Sequence, residues 1–530
     1  MAKRYRPVDR DQVFLLPPSM MDWLPADHLV WFVIDAVGEL DTAAFHARAR
    51  LGGVGRRGYD PEMLLTLLVY AMAHGVRSSR QIERLCHTDV AFRVICASDV
   101  PDHTVLARFR QDHETALADL LTATLLLAAR LGMVRLGVVA FDGTKIAGNA
   151  ARDANRSEQG LRRLAEQYLA DTAATDAAED TEFGGDERGD ELPPRLRDRS
   201  GRAARIRQAL AEAEKAGAAE RARRDAAEQA GADYERNLAD PDLSVFGPPP
   251  KTADPVAAAR ARWQRERARI QRRADAWHER AARTRAAGNQ PHGRPPLPAD
   301  QHCRVKTAKA AYDAAAVDAG TGAAEDPTTT DTPGPRVNLT DPDSRLLKTR
   351  NGWLQGYNCQ TAVSEDQFFL HAQATQDAND VQQFEPTRTA ITDLAAHLTA
   401  HTGRTDLTIG VMIGDAGYDS INNLTCHGPD RLIAGTTSRQ LGDHATTNPA
   451  TGQPPEHATI RQAMNHRLRT TAGRNLYKRR SPLVEAPNSW LKDRRGLRQF
   501  LRRGLTATNS ELRFAAAVTN LLRIHTLTTE

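Results

Sequence analysis

The chain has 530 residues, of which 40% are hydrophobic, 5% aromatic and 26% charged. That apolar fraction is enough for folded cores, so the composition excludes a chain that is disordered throughout, and the length suggests about three domains. The 71 Lys and Arg residues nearly balance the 67 Asp and Glu residues, for a formal net charge of +4. A nucleic-acid partner must therefore be argued from local clusters of charge.

The five cysteines lie far apart, and none forms a Cys-x-x-Cys pair. A disulfide framework and a zinc ribbon are both disfavoured, and this cysteine usage fits a reducing compartment. The basic N-terminus leads into no apolar signal-peptide core, and the apolar stretch near 120–129 is too short to span a bilayer. These features predict a cytoplasmic protein without a membrane segment.

Residues 1–135 are predicted to be mostly helical, as short amphipathic segments joined by short turns. Arginines recur in these segments, among them Arg80, Arg108 and Arg110. Short helices with basic side chains favour a helix-turn-helix-like head that binds DNA. The alternative is a helical bundle whose basic face is solvated.

An α/β pattern begins after residue 135 and returns after residue 345. The apolar run 136–141 predicts a buried strand that ends at Asp142, and 407–414 predicts another that ends at Asp415. The remaining predicted elements are strands at 357–363, 368–372 and 431–436 and helices at 380–398 and 477–524. The sequence thus predicts one mixed α/β domain made of two separate segments.

A helical region rich in Ala, Arg, Glu and Asp lies between those two segments. Val256, Trp263, Ile270 and Trp277 recur every seven residues, which predicts a long helical hairpin with a coiled-coil-like seam. The loop 320–335 is predicted to be disordered from its composition.

Three acidic residues suit metal-ion chemistry. Asp142 and Asp415 end predicted strands, where sheets present side chains to a ligand crevice. Glu485 is the only acid between Lys478 and Lys492. Carboxylates are ligands that Mg²⁺ prefers, and three of them could hold two ions roughly 4 Å apart. Each acid has an ordinary alternative, since an Asp after a strand is commonly a turn residue and Glu485 could be a helix ion-pair partner.

A basic run surrounds Glu485. Residues 474–503 contain ten Lys and Arg residues, against only Glu485 and Asp493. This local excess of positive charge is concealed by the near-neutral total, and it would neutralise phosphates and make binding depend on salt. Taken alone, the run could be a solvated helix.

Several segments together resemble the DDE transposases of bacterial insertion sequences, in the group with a Tyr–Arg–Glu–Lys signature. The matching segments are FDGTKIAGNA (141–150), IGDAGYDS (413–420), YKRRSPLVEAPNSWLK (477–492), DPDSRLLKTRNGWLQGYNCQTAV (341–363) and the N-terminal stretch 59–95. They cover most of the chain outside about 155–340.

The resemblance implies an RNase H-like catalytic domain: a mixed β-sheet flanked by helices, with a large helical insertion between its first and second strands. It implies a helical N-terminal domain, 1–135, that binds transposon ends. The catalytic domain would comprise 136–150 and 345–530, and 151–344 would be the coiled-coil-like insertion with disordered loops.

The resemblance also implies a catalytic triad of Asp142, Asp415 and Glu485. These acids would bind two Mg²⁺ ions, for which Mn²⁺ can substitute, with Asp142 bridging both. The residues predicted to contact DNA are Tyr477, Arg479, Arg480, Lys492, Arg494, Arg495, Arg498, Arg80, Arg108 and Arg110.

The arginine of the signature has two candidates. Four residues separate Arg480 from Glu485, whereas the commonest form of the signature has three. Arg479 therefore competes with Arg480 for this position.

The implied reaction is metal-dependent hydrolysis at insertion-sequence ends, followed by strand transfer into target DNA. The expected partners are the terminal inverted repeats, the target DNA and further copies of the chain, with the protein on the nucleoid. The alternatives are an inactive or repurposed transposase that only binds DNA, a scaffold built on the helical insertion, and another metal nuclease such as a junction resolvase. Loss of the active site is disfavoured because all three acids are present.

Overall fold

The chain divides into two compact units. The sheet unit combines Met1–Asn155 with Asn338–Glu530, and the helical unit is Arg156–Val337. The helical unit therefore interrupts the sheet unit in sequence. The computed structural model describes residues 19–47, 58–167, 170, 197–239, 249–291, 293–321, 336–436 and 438–529.

Helices dominate both units. Those before the first strand are α1 (Leu29–Gly38), α2 (Ala43–His46), α3 (Pro61–Ala73), α4 (Ser79–Thr88), α5 (Val90–Ile95), α6 (His103–Asp112) and α7 (Glu114–Arg130). The long helices of the helical unit are α8 (Arg197–Ala239), α9 (Pro255–Ala286) and α10 (Cys303–Thr321). Those that follow are α11 (Phe384–Thr402), α12 (Ile421–Thr425), α13 (Ser438–Thr447), α14 (Ile460–Arg469), α15 (Thr471–Lys478), α16 (Arg480–Ser489) and α17 (Leu505–Thr529). Within the described ranges, none of these helices is long and apolar enough to cross a membrane.

A mixed sheet lies at the centre of the sheet unit, which confirms the predicted α/β class. The strands of the chain are β1 (Val138–Ala147), β2 (Asn155–Ser157), β3 (Arg336–Asn338), β4 (Arg345–Thr349), β5 (Gly352–Ser364), β6 (Phe369–Thr375), β7 (Val411–Gly414) and β8 (Asp430–Ile433). The order is β4-β5-β1-β7-β8, β6 pairs with β5, and β2 and β3 form a separate two-stranded sheet. β5 is antiparallel to β1 and β6, whereas β1, β7 and β8 are parallel.

The first strand is longer than its apolar run predicts. β1 continues through Asp142 to Ala147, because it stays paired with β5 as far as Ala147 opposite Gly356. The prediction that the strand ends at Asp142 is therefore wrong, since β5 supplies the hydrogen bonds that keep the polar residues extended. The parallel pairing with β7 stops at Ala140. Asp142 thus lies on the part of β1 that extends beyond its pairing with β7.

The two faces of the sheet belong to different buried clusters. Val139 and Phe141 belong to one cluster and Val138 and Ala140 to the other, as the period of two in a strand requires. Helices α7, α11 and α17 pack on the first face, and residues of α14, α15 and α16 lie in the cluster on the second. Asp142 shares the register of Val138 and Ala140 and so faces α16.

In the helical unit, α9 packs against both α8 and α10. Ile270 of the predicted seam is buried, and Trp263 stacks on Tyr312 of α10 with ring centroids 5.7 Å apart. The predicted disordered loop 320–335 lies outside the described residues except at 320–321, which end α10.

We expect Gly356→Ala to destabilise the sheet. A Cβ at residue 356 would stand 2.1 Å from the carbonyl oxygen of Ile146 and 3.0 Å from Ala147 Cα, both backbone atoms of β1. The strands would have to separate, and overpacking of this kind costs about 1–3 kcal/mol. Urea unfolding measures the loss. Gly442→Ala on α13, where no described atom lies within 4 Å of an added Cβ, is the control. It should be neutral or slightly stabilising, and an equal loss in both variants would contradict the prediction.

We also expect stability to fall in acid because of His371 on β6. Burial, and to a smaller extent the charge of Arg513, lower the pKa of this imidazole to about 4. Its Nε2 atom is buried without a hydrogen-bond partner among the described residues. Unfolding returns the pKa to about 6.5. Because the folded imidazole stays neutral, its contribution is complete above pH 6.5 and declines as the pH falls towards 4, by about 2.5 kcal/mol at pH 4.5.

Urea unfolding of wild type and His371→Met between pH 7 and pH 4.5 measures this contribution. All other titrating groups are common to both proteins, so the wild type should lose more stability than the variant. Parallel pH profiles would refute the assignment to His371.

Candidate active site

Asp142 and Asp415 come together where β1 and β7 separate. β7 ends at Gly414, and Asp415 caps the short 3-10 turn 416–418 by accepting a hydrogen bond from Gly417 N at 2.9 Å. Asp142 stands two residues beyond the last pair between β1 and β7. The structure thus brings together two acids that the sequence placed more than 270 positions apart.

One guanidinium joins the two carboxylates. Arg480 Nη2 donates to Asp142 Oδ1 at 2.8 Å and to Asp415 Oδ2 at 3.2 Å. The Arg480 side chain is 11% exposed, whereas those of Asp142 and Asp415 are 22% and 39% exposed. A cation therefore already stands between two partly buried acids, which is a position that also suits a divalent ion.

Burial governs the protonation of Asp142. It raises the pKa of this carboxyl to about 6, against the lowering effect of the Arg480 charge, and the charge of Asp415 raises it further. Asn488 Nδ2 donates to Asp142 Oδ2 at 2.7 Å and favours the ionised form. A carboxylate in such surroundings is costly to keep charged, and a bound cation lowers that cost.

The phase of α16 determines which side chains reach Asp142. Its buried residues are Arg480, Leu483, Val484, Pro487 and Asn488. Their i, i+3, i+4, i+7, i+8 spacing defines one helix face. Leu483 and Val484 pack in the cluster under β1 and β7. Arg480 and Asn488, the polar residues at the two ends of this face, therefore contact the Asp142 carboxylate.

Glu485 lies on the same helix but outside this contact set. Its side chain is exposed, and its Oε1 accepts a hydrogen bond from Ser481 Oγ at 2.6 Å. Among the described residues, the three acids of the predicted triad do not place ligand atoms within 4.8 Å of one another. The structure assembles two members of the triad and leaves the third about one helical turn from Asn488.

The two candidates for the signature arginine have different partners. Arg479 Nη2 donates to Glu365 Oε2 at 2.7 Å and is 44% exposed. Arg480 contacts both aspartates, as described above. Of the two arginines, Arg480 is therefore the one in contact with the two aspartates.

Lys492 and Tyr477 lie on the same side of the sheet as α16. Lys492, in the π-helical turn Trp490–Arg494, donates to Thr144 Oγ1. Thr144 is two residues along β1 from Asp142 and therefore shares its face. Tyr477 is buried in the cluster of that face.

The remaining basic residues near the C-terminus divide into exposed and buried ones. Arg494 and Arg498 are exposed, and Arg498 pairs with Asp493. Arg495 is buried and donates to the carbonyl oxygen of Ala73, and burial lowers its pKa to about 10. Arg495 thus holds the end of α3 in place, and its guanidinium faces the Ala73 carbonyl oxygen instead of the surface where the prediction put it in contact with DNA.

The N-terminal arginines divide in the same way. Arg80 and Arg108 are exposed. Arg110 Nη1 donates to the carbonyl oxygen of Arg77 at 2.7 Å, and burial lowers the pKa of Arg110 to about 10. Its contact is internal, so Arg80 and Arg108 remain the surface candidates for DNA.

Sequence reasoning missed two residues of the site. Asn488 contacts Asp142, and the phase of α16 could have revealed it. Asp380 lies between β6 and α11, where its Oδ1 accepts hydrogen bonds from Asn358 Nδ2 at 2.8 Å and Gln360 Nε2 at 2.6 Å. In the sequence, Asp380 stands out only as an acidic residue in the polar stretch that follows the predicted strand 368–372.

Two family models match the chain. The one described as "Transposase domain (DUF772)" matches residues 18–112, and the one described as "Transposase DDE domain" matches residues 440–525. The first range covers helices α1 to α6, and the second covers α15, α16 and Glu485. No curated protein and no solved structure matches the chain.

Proposed function

We propose that this chain, which belongs to the insertion-sequence DDE transposases, cuts DNA at the ends of its element with a divalent-metal centre built on Asp142, Asp415 and Glu485. The family matches make it a DNA transposase and do not favour a protein that only binds DNA. The observation that supports the site most is the joining of two carboxylates by Arg480, on the helix that also carries Glu485.

The strand order supports an RNase H-like fold for the catalytic domain. β5 and its neighbours form an antiparallel half on one side of β1, and β7 and β8 continue the sheet in parallel on the other side. In this proposal, 136–150 and 345–530 form the catalytic domain, 1–135 the end-binding domain and 151–344 an insertion after the first strand.

The donor set fits Mg²⁺, or Mn²⁺ in its place. Carboxylate oxygens are the ligands that such hard cations prefer. The burial of Asp142 and the guanidinium between the two aspartates both indicate a place for positive charge. Asp142 would hold both ions, with Asp415 and Glu485 each completing one site. When bound, the ions supply an activated water or 3′-hydroxyl and stabilise the leaving oxygen.

The chain's own cations act on the DNA. Arg480 and Lys492 both contact residues on the Asp142 face of β1. In the loaded centre Arg480 turns from the two aspartates to the scissile phosphate, and with Lys492 it stabilises the charge that develops on the phosphate oxygens. For Glu485 to join the centre, its carboxylate must give up the hydrogen bond from Ser481 Oγ and turn towards the two aspartates.

The DNA partners follow from the family and the exposed basic side chains. The terminal inverted repeats are read by the N-terminal helices, with Arg80 and Arg108 on their surface. Arg494 and Arg498 contribute phosphate contacts near the acids. A second copy of the chain holds the other end of the element, and the complex forms on the nucleoid.

Cleavage of DNA that bears the element's own flanking ends tests the function. Purified full-length protein should nick this DNA with Mg²⁺ or Mn²⁺, lose the activity with EDTA, and cut a duplex with scrambled ends less. A mobility-shift assay follows binding in parallel. Binding without cleavage by wild type would replace the proposal with a DNA-binding role, and cleavage of branched DNA irrespective of its ends would point to a resolvase.

A further inference from the structure

A fourth carboxylate stands beside the proposed metal centre. A Cβ added to Gly143, the residue after Asp142, would stand 2.2 Å from Asp380 Oδ1. A Cβ added to Gly417 would stand 3.0 Å from Asp380 Oδ2 and 3.0 Å from Asp415 Oδ1. The Asp380 carboxylate therefore occupies space that these two glycines leave open.

Asp380 approaches from the face of β1 opposite to Asp142. Its partner Gln360 is paired with Gly143, whereas Asp142 is paired with the next residue, Thr361. Successive residues of a strand point to opposite faces. The two faces meet at the edge of β1 just beyond its last pair with β7, and Asp380 Oδ2 and Asp415 Oδ1 lie on either side of Gly417 there.

The polar surroundings fix the orientation of Asp380. Asn358 and Gln360, each 1% exposed, donate to its Oδ1. Tyr418 OH donates to Gln360 Oε1 at 2.5 Å, which holds the Gln360 amide in its orientation. Asp380 Oδ2 is thereby left facing Gly417 and Asp415.

A buried amide oxygen lies next to this carboxylate. Asn358 Oδ1 is buried and has no hydrogen-bond partner among the described residues, although Nδ2 of the same amide donates to Asp380. An unpaired buried oxygen is costly, and a hydrogen-bond donor, a water molecule or a cation would each satisfy it.

We propose that Asp380 is a fourth carboxylate ligand of the divalent-metal centre and binds an ion together with Asp415. This inference rests on the proposed function of the same site. Asp380 Oδ2 and Asp415 Oδ1 each lie 3.0 Å from the position of a Gly417 Cβ, and Asp142 is joined to Asp415 through Arg480. A merely structural anchor for the loop before α11 would need only an acceptor for two amides, which a neutral Asn also provides.

Asp380→Asn separates the two roles, because its amide oxygen can accept the same two hydrogen bonds while its charge is lost. Asp377→Asn, three residues earlier and bonded to Gln383 at 2.6 Å, is the matched control. Mn²⁺ is titrated into the full-length protein bound to end DNA, and free Mn²⁺ is followed by electron paramagnetic resonance. Asp380→Asn should weaken Mn²⁺ binding about tenfold or more, with Asp377→Asn close to wild type.

The outcomes distinguish this inference from the proposed function. If Asp142→Asn loses Mn²⁺ binding while Asp380→Asn binds like wild type, Asp380 is not a ligand and the centre stands without it. If Asp142→Asn also binds like wild type, both the centre and the inference fail.

Asp380→Cys provides a second test in case the Asn variant does not fold. A thiolate ligand shifts preference from Mn²⁺ towards Cd²⁺, which a loop anchor would not do. An unchanged ratio of Cd²⁺ to Mn²⁺ affinity would overturn the inference.

Discussion

Asp142→Asn, Asp415→Asn and Glu485→Gln should each reduce cleavage at the element's ends by roughly a thousandfold or more, or about 4 kcal/mol of transition-state stabilisation. Each change removes one negative oxygen ligand but keeps the size of the side chain. Binding of end DNA should persist, because phosphate contacts come from the basic residues. Initial nicking rates in Mg²⁺ and Mn²⁺ measure the effect, with a mobility-shift assay for binding.

Two nearby acids serve as controls for this series. Asp419 follows Asp415 by four residues and pairs with Arg461 at 3.2 Å. Asp493 lies beyond the end of α16 and pairs with Arg498. Asp419→Asn and Asp493→Asn should keep cleavage within about twofold of wild type, because each carboxylate is paired with an arginine other than Arg480.

The three triad variants need not agree, and their differences are informative. Wild-type rates in either aspartate variant would refute the metal centre. Normal cleavage by Glu485→Gln alone would mean that its hydrogen bond to Ser481 is permanent. The third carboxylate ligand of the metal centre would then be another acid, and Asp380 is the candidate that lies beside Asp415.

Arg77→Met should lower the free energy of unfolding by about 3–5 kcal/mol, because it leaves the buried charge of Glu511 unpaired. Arg77 and Glu511 are 9% and 8% exposed and form an ion pair. Arg77 also donates to the carbonyl oxygens of Gly496 at 2.5 Å and Gln499 at 2.7 Å. It thereby anchors the segment that follows α16 to the turn between α3 and α4.

A double-mutant cycle with Glu511→Leu checks this assignment. The double variant should be less destabilised than the sum of the single variants, because removing both charges leaves neither unpaired. Urea midpoints of the full-length proteins supply the four values. Additive losses would mean that the pair contributes no coupling and that the carbonyl contacts of Arg77 account for the effect.

The sequence by itself was sufficient for the α/β class and for the two buried strands on which Asp142 and Asp415 depend. The apolar runs before Asp142 and Asp415 predict buried strands because a doubly covered strand needs apolar side chains on both faces. Glu485 was conspicuous as a single carboxylate in a basic run. Three motifs in the family's order then indicated a transposase, and the two family matches confirm it.

Other features depended on partners that are distant in sequence. The extent of β1 beyond Asp142 follows from its pairing with β5, more than 200 residues away. The inward positions of Arg110 and Arg495 depend on carbonyl oxygens that only the packed helices supply. The composition and spacing of a sequence show where charged residues occur. They do not show whether a guanidinium is exposed to solvent or donates to a carbonyl oxygen inside the fold.

The sequence alone did not determine whether Arg479 or Arg480 contacts the two aspartates. Successive residues of a helix differ by about 100° in direction, so only one of the two can face the sheet. Leu483 and Val484 set that phase by packing under β1 and β7, and their face includes Arg480. The amino-acid sequence by itself determined which residue types are present and the local elements that hold them. Only the tertiary structure decided which of them meet at the acids, because that depends on the phase of α16 against the sheet.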